Sequence, residues 1–139
     1  MKFPKSICFA LCCVVSAATH AGAFNAVTYG DTVAKDIASE VTEQFTVRYP
    51  TSKWSVFVWT ASGVTDKGIP HCTGIAGVVP KGTGVFPLKR YLTTSFNPDE
   101  NGSKTVGELR AWSVRCAKSA VANMMSDSLE KMYLAPQQP

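Results

Sequence analysis

The sequence predicts an α+β domain: an N-terminal helix, an antiparallel sheet of three or more strands, and a long C-terminal helix packed on one sheet face. Three observations carry this. An apolar residue recurs every fourth position from Val33 to Tyr49. The run Lys53–Thr60 is dense in β-branched and aromatic residues. A wide apolar arc, broken by no proline, runs from about Thr105 to Leu134. The 139 residues suit one domain, and an apolar share of 45% with 17% charged residues excludes a disordered chain, a collagen and a coiled coil.

The chain opens on a segment set apart from the fold. Lys2 and Lys5 precede the apolar run Ile7–Ala18, and Ala21-Gly22-Ala23 places small residues where signal peptidase needs them. This is the layout of a secretory signal peptide over residues 1–23, cut before Phe24. The run is shorter than the ~20 residues of a spanning helix, so no membrane span is expected in the mature chain. Residues 24–134 are expected to form the domain, and 135–139 a frayed tail. Removal of the signal leaves 12 basic against 10 acidic residues, one histidine (His71) and two cysteines (Cys72 and Cys116). A mature charge of +2 is a weak footprint for nucleic acid. The expected location is extracellular, or periplasmic in a bacterium. There two cysteines read as one disulfide, Cys72–Cys116.

The first helix is expected over Thr32–Arg48, with Asp31 or Thr32 at its start and Pro50 beyond its end. The first strand, Lys53–Thr60, carries Trp54, Val56 and Val58 on one face and Ser55, Phe57 and Trp59 on the other. A second strand, Cys72–Val79, is interrupted by Gly74 and Gly77, a sign that another backbone comes close. Lys81–Pro87 reads as a loop. A third strand, Leu88–Phe96, puts Leu92, Thr94 and Phe96 on one face and Tyr91, Thr93 and Ser95 on the other. Short connections favour antiparallel pairing. Thr105-Val106-Gly107-Glu108 matches a capping box for the second helix, in which Leu109, Trp112, Cys116, Ala120 and Met124 form one apolar stripe.

Lys35-Asp36-Ile37-Ala38, followed by Phe45, Tyr49 and Trp54, resembles the helix-to-strand passage of dynein light chains over about twenty-five residues, with a one-residue shift before the tryptophan. The later strands do not match that family, its members have no such C-terminal helix, and a secretion signal conflicts with a cytoplasmic motor subunit. No functional residue is carried over.

Catalytic signatures are missing from the sequence. One histidine and two cysteines do not build a zinc site, so no metal or other cofactor is expected. There is no Gly-x-Ser-x-Gly elbow. Lys81-Gly82-Thr83-Gly84 lacks the spacing and following helix of a phosphate loop. Adjacent residues on a strand face opposite ways, so His71 and Cys72 do not form a nucleophile–base pair. Asn101-Gly102-Ser103 is a glycosylation sequon, relevant in a eukaryotic source. Trp54 and Trp59 lie on opposite faces of one strand, so one of them is expected on the open face. With Arg110, Arg115 and Lys118 they make the candidate binding surface. The sequence thus points to a small secreted, non-enzymatic binding protein (inhibitor, effector or immunity-type factor) whose partner is another protein. The alternatives are a small enzyme using His71 as acid or base, and a self-associating component that uses an exposed sheet edge.

Overall fold

The computed structural model describes residues 23–100 and 102–135. The expected signal peptide up to residue 22, the sequon residue Asn101 and the last residues of the tail lie outside them. Strand β1 (Ala26–Tyr29) leads into α1 (Ala34–Ile37), a 3-10 turn (Ala38–Glu40) and α2 (Glu43–Arg48). Strands β2 (Trp54–Val64), β3 (Pro70–Pro80) and β4 (Tyr91–Phe96) follow, then helix α3 (Val106–Met125) and a second 3-10 turn (Leu129–Lys131). The sheet order is β1-β2-β3-β4.

The sheet is mixed, which corrects the expectation of a purely antiparallel one. β2–β3 and β3–β4 are antiparallel, but β1 lies parallel to β2, with Ala26 opposite Val56 and Tyr29 opposite Trp59. β1 has four residues, too few for an alternation to stand out. It is held from outside the strand: the Asn25 amide donates to the Thr51 carbonyl at 2.5 Å, and Val56 N–H donates to the Asn25 carbonyl at 2.8 Å.

The continuous helix expected over Thr32–Arg48 is two short helices separated by a 3-10 turn and an extended residue, Val41. The apolar stripe itself is real: Ile37, Val41, Phe45 and Tyr49 are all buried. A helix turns once in 3.6 residues, so a strict four-residue spacing drifts by about 40° per step. Four steps would swing the stripe nearly to the opposite side. Breaking the helix at Val41 restores the phase. Thr42 then caps α2, its hydroxyl accepting from Phe45 N–H at 3.3 Å. Thr32 does not cap α1. Its hydroxyl is buried against that of Thr60, 3.1 Å away, and Val33 N–H is satisfied by the Asp36 carboxylate at 3.0 Å.

The strands run somewhat differently from expectation. β2 and β3 extend to eleven residues each and form a long hairpin, and β4 begins at Tyr91 rather than Leu88. The residues before Tyr91 are drawn away to cover the sheet, as described below.

Helix α3 starts where the capping box places it. Thr105 Oγ1 accepts from Glu108 N–H at 3.2 Å, and Thr105 N–H donates to Glu108 Oε2 at 2.7 Å. The Thr105 N–H, and the Thr105 hydroxyl donating to the same Oε2 at 2.8 Å, hold the Glu108 carboxyl below its usual range. The helix stops at Met125, nine residues before the expected end. Ser126 N–H closes on the Ala122 carbonyl, and the Ser126 hydroxyl donates to the Asn123 carbonyl at 2.7 Å. The chain then folds back, burying Met132 and packing Leu129 and Tyr133 against the core.

The described helices all lie on one face of the sheet. There Ile37, Val41, Phe45 and Tyr49 meet Val56, Val58, Ala76 and Val78 from the strands and Ala117, Ala120, Val121 and Met124 from α3. The small side chains of α3 let its backbone sink onto β3. The closest approach is at Gly74, where a methyl group would overlap the Cys116 carbonyl. Beside it Cys72 and Cys116 form a disulfide, with Cα atoms 6.1 Å apart and Trp112 packed against them.

Two outcomes test this packing. Gly74→Ala is expected to destabilise the fold by about 1–3 kcal/mol, the usual cost of overpacking, measured by urea unfolding. Replacing both Cys72 and Cys116 by alanine frees a loop of 44 residues in separation. By loop-closure entropy this costs about 2–4 kcal/mol, with the far-UV circular dichroism unchanged below the transition.

Candidate functional site

Among the described residues no helix covers the opposite face of the sheet, and alternation dictates what it displays. One row crosses all four strands: Tyr29 lies opposite Trp59, Trp59 opposite Ile75, and Ile75 opposite Leu92. The neighbouring row, Val27, Phe57 and Gly77, is treated differently. The segment between β3 and β4 folds over it, with Phe86 4.6 Å from Phe57 between ring centroids. Pro87 sits where a Gly77 side chain would be. Phe57 and Pro87 are buried as a result. Gly74 and Gly77 thus admit a helix backbone on one face and a covering loop on the other, the close approaches that the interrupted strand implied.

The covering loop is anchored at its far end. The Arg90 guanidinium donates through Nε to the Pro87 carbonyl at 2.9 Å and lies 5.6 Å over the Phe86 ring. Lys89 pairs with the Asp127 carboxylate, which also accepts from the Tyr91 hydroxyl at 2.6 Å and from Ser128 N–H at 2.7 Å. Lys89, with Tyr91 and the Ser128 amide, holds the Asp127 carboxyl well below the usual carboxylate range. Hydrogen bonding to Asp127 raises Lys89, while burial and then Asp127 push the Tyr91 phenol up. Asp127, just past α3, therefore ties the last helix to the loop and to β4. Nothing in the sequence marked this cluster, because its members lie 36 and 38 residues apart.

Past the loop the sheet face is open. Leu92 and Phe96 are 62% and 61% exposed and Tyr29 is 45% exposed, with Trp59 and Ile75 half-buried between them. Trp59 is the tryptophan of the open face. Trp54 points to the helix side and packs edge-on against Tyr49 and Tyr133, at 5.4 and 4.5 Å.

The basic residues do not join Trp59. Arg110 pairs with Asp36 at 2.8 Å and Lys118 with Glu40 at 3.9 Å, both across to the first helical segment. The Arg115 guanidinium stacks on Trp112 at 4.6 Å. These cations lie on the helix side, so the five residues singled out from sequence do not converge on one surface.

His71 sits at one end of the open face. Its ring lies over Gly63 and stacks on Phe96, with centroids 6.1 Å apart. Among the described residues its Nδ1 has no hydrogen-bond partner. A catalytic base is normally oriented by a carboxylate or carbonyl on its second nitrogen. No three His, Cys, Asp or Glu side chains among the described residues are grouped to hold a metal ion, and no described helix is long and apolar enough to cross a membrane. The open face is apolar and nearly free of charge.

No family model matches the chain, and no curated protein or solved structure matches it.

The Asp127 cluster carries a pH prediction. The unfolded carboxylate takes up its proton near pH 4, the folded one only at lower pH. The stabilisation is therefore complete above the unfolded value and is lost as pH falls through the folded one. Asp127→Asn should melt below wild type at neutral pH, and the gap should close as the pH falls from about 4 toward 2, followed by circular dichroism.

Proposed function

We propose that this is a small secreted, non-enzymatic binding protein of the inhibitor, effector or immunity-factor kind, and that it binds another protein through the helix-free face of its sheet. The observation that carries this is the cross-strand row Tyr29, Trp59, Ile75 and Leu92, left open where the adjacent row is covered. Large contiguous apolar surface is unusual on a monomer unless something binds there. Tryptophan and tyrosine are the side chains that most often anchor protein interfaces. The signal-type N-terminus and the Cys72–Cys116 bridge support secretion, since structural disulfides belong to oxidising compartments.

The test is capture of a partner by the purified protein, followed by measurement of its affinity for variants. Trp59→Ala is expected to weaken the complex at least tenfold, which corresponds to about 1.4 kcal/mol, with folding unchanged. Trp54→Ala is expected to lower the melting temperature instead, because its ring packs between Tyr49 and Tyr133. Unaltered binding by both Trp59→Ala and Leu92→Ala would move the interface elsewhere. A hydrolytic activity that disappears in His71→Ala would make the protein an enzyme and overturn the reading.

A further inference from the structure

The open sheet face ends at β4, and β4 is also an edge. The pairing of β3 with β4 fixes which way its backbone groups point. Asn97 N–H donates to the Pro70 carbonyl, so that position is a hydrogen-bonded pair. In an antiparallel ladder such pairs alternate with non-bonded ones. Ser95–Cys72, Thr93–Gly74 and Tyr91–Ala76 are then the bonded pairs. The N–H and C=O groups of Leu92, Thr94 and Phe96 point away from β3. Among the described residues no backbone bond beyond the β3 ladder reaches them. Natural edges are usually blunted by lysine, proline or a bulge. Tyr91-Leu-Thr-Thr-Ser-Phe96 has no charge, no proline and no glycine, and its exposure alternates without interruption.

We propose that β4 pairs antiparallel with β4 of a second copy of this chain, about a two-fold axis through Thr94. The register follows from the geometry. Only Leu92, Thr94 and Phe96 offer outward groups, so they must pair with one another. Centring on Thr94 uses all three, as Thr94–Thr94 and two Leu92–Phe96 pairs, with about six hydrogen bonds. A shift of two residues either way leaves about four. The same register sets the exposed Leu92 of each copy beside the exposed Phe96 of the other. It also brings Arg90, which precedes β4, toward Asp99, which follows it, in the other copy. The helices do not obstruct the pairing. α3 crosses β3 at Gly74, and three strand spacings place the two α3 helices about 14 Å apart, wider than the 8–10 Å of packed helices.

The proposal concerns the edge and does not rest on the partner reading of the face. Sedimentation velocity of the purified protein, from micromolar to near-millimolar, is expected to show a reversible monomer–dimer equilibrium. Thr94→Pro removes an outward N–H that β3 does not use and is expected to raise the dimer dissociation constant at least tenfold, with the circular dichroism unchanged. Leu92→Lys with Phe96→Lys is the second variant and should have the same effect if the proline variant folds poorly. Amide exchange of Leu92, Thr94 and Phe96 should slow with rising concentration, while Thr93 and Ser95 stay protected throughout. A strict monomer over the whole range overturns the proposal. So does a dimer untouched by both variants, or one lost in Trp59→Ala and kept in Thr94→Pro, which would place the contact on the sheet face.

Discussion

The rest of the architecture depends on one backbone-to-backbone approach: helix α3 lying on β3 at Gly74, where no side chain separates the Cys116 carbonyl from the strand. The depth of that contact sets the thickness of the core. Ala117 and Ala120 match it on the helix, Ala76 and Val78 on the strand, and the disulfide holds the pair at one end. The remaining volume belongs to the larger side chains: Ile37 and Phe45 from the segments before the sheet hairpin, Met124 from α3 itself and Met132 from the segment after it. A bulkier residue at position 74 would lift the helix and loosen all of them together, because interiors are close-packed.

The two faces of the sheet receive opposite treatment from one glycine-punctuated strand. Gly74 admits a helix, whereas Gly77, three residues on and so on the other face, admits the Pro87 ring. The covering loop reaches only far enough to bury Phe57. The row beyond it remains open because the chain turns at Arg90 and Tyr91 into β4, where the pull of Asp127 fixes it. The exposed aromatic face and the anchored loop are thus one feature seen from two sides.

Much of this was legible in the sequence, and the failures have specific causes. The alternation in Lys53–Thr60 placed Trp54 and Trp59 on opposite faces, the capping box located the start of α3, and the glycines announced close approaches. The stripe Ile37, Val41, Phe45, Tyr49 identified the buried residues but not the helix that carries them, since its spacing of four conflicts with the helical repeat. β1 escaped notice because a four-residue parallel strand is defined by its neighbour and not by its own pattern. The early end of α3 was concealed because Leu129 and Met132 keep the apolar rhythm while belonging to a folded-back segment. Of the candidate site residues, the basic ones looked available because their acidic partners, Asp36 and Glu40, lie more than seventy positions away.

The placement of the disulfide bears on resistance to proteolysis. The covering loop, β4 and the turn before α3 all fall between Cys72 and Cys116. These exposed connections are where a protease would cut first. A single cut in any of them would leave both pieces covalently joined and still docked, β3 to α3, across the same contact that organises the core. The bridge therefore encloses these connections, so that damage there need not release a fragment.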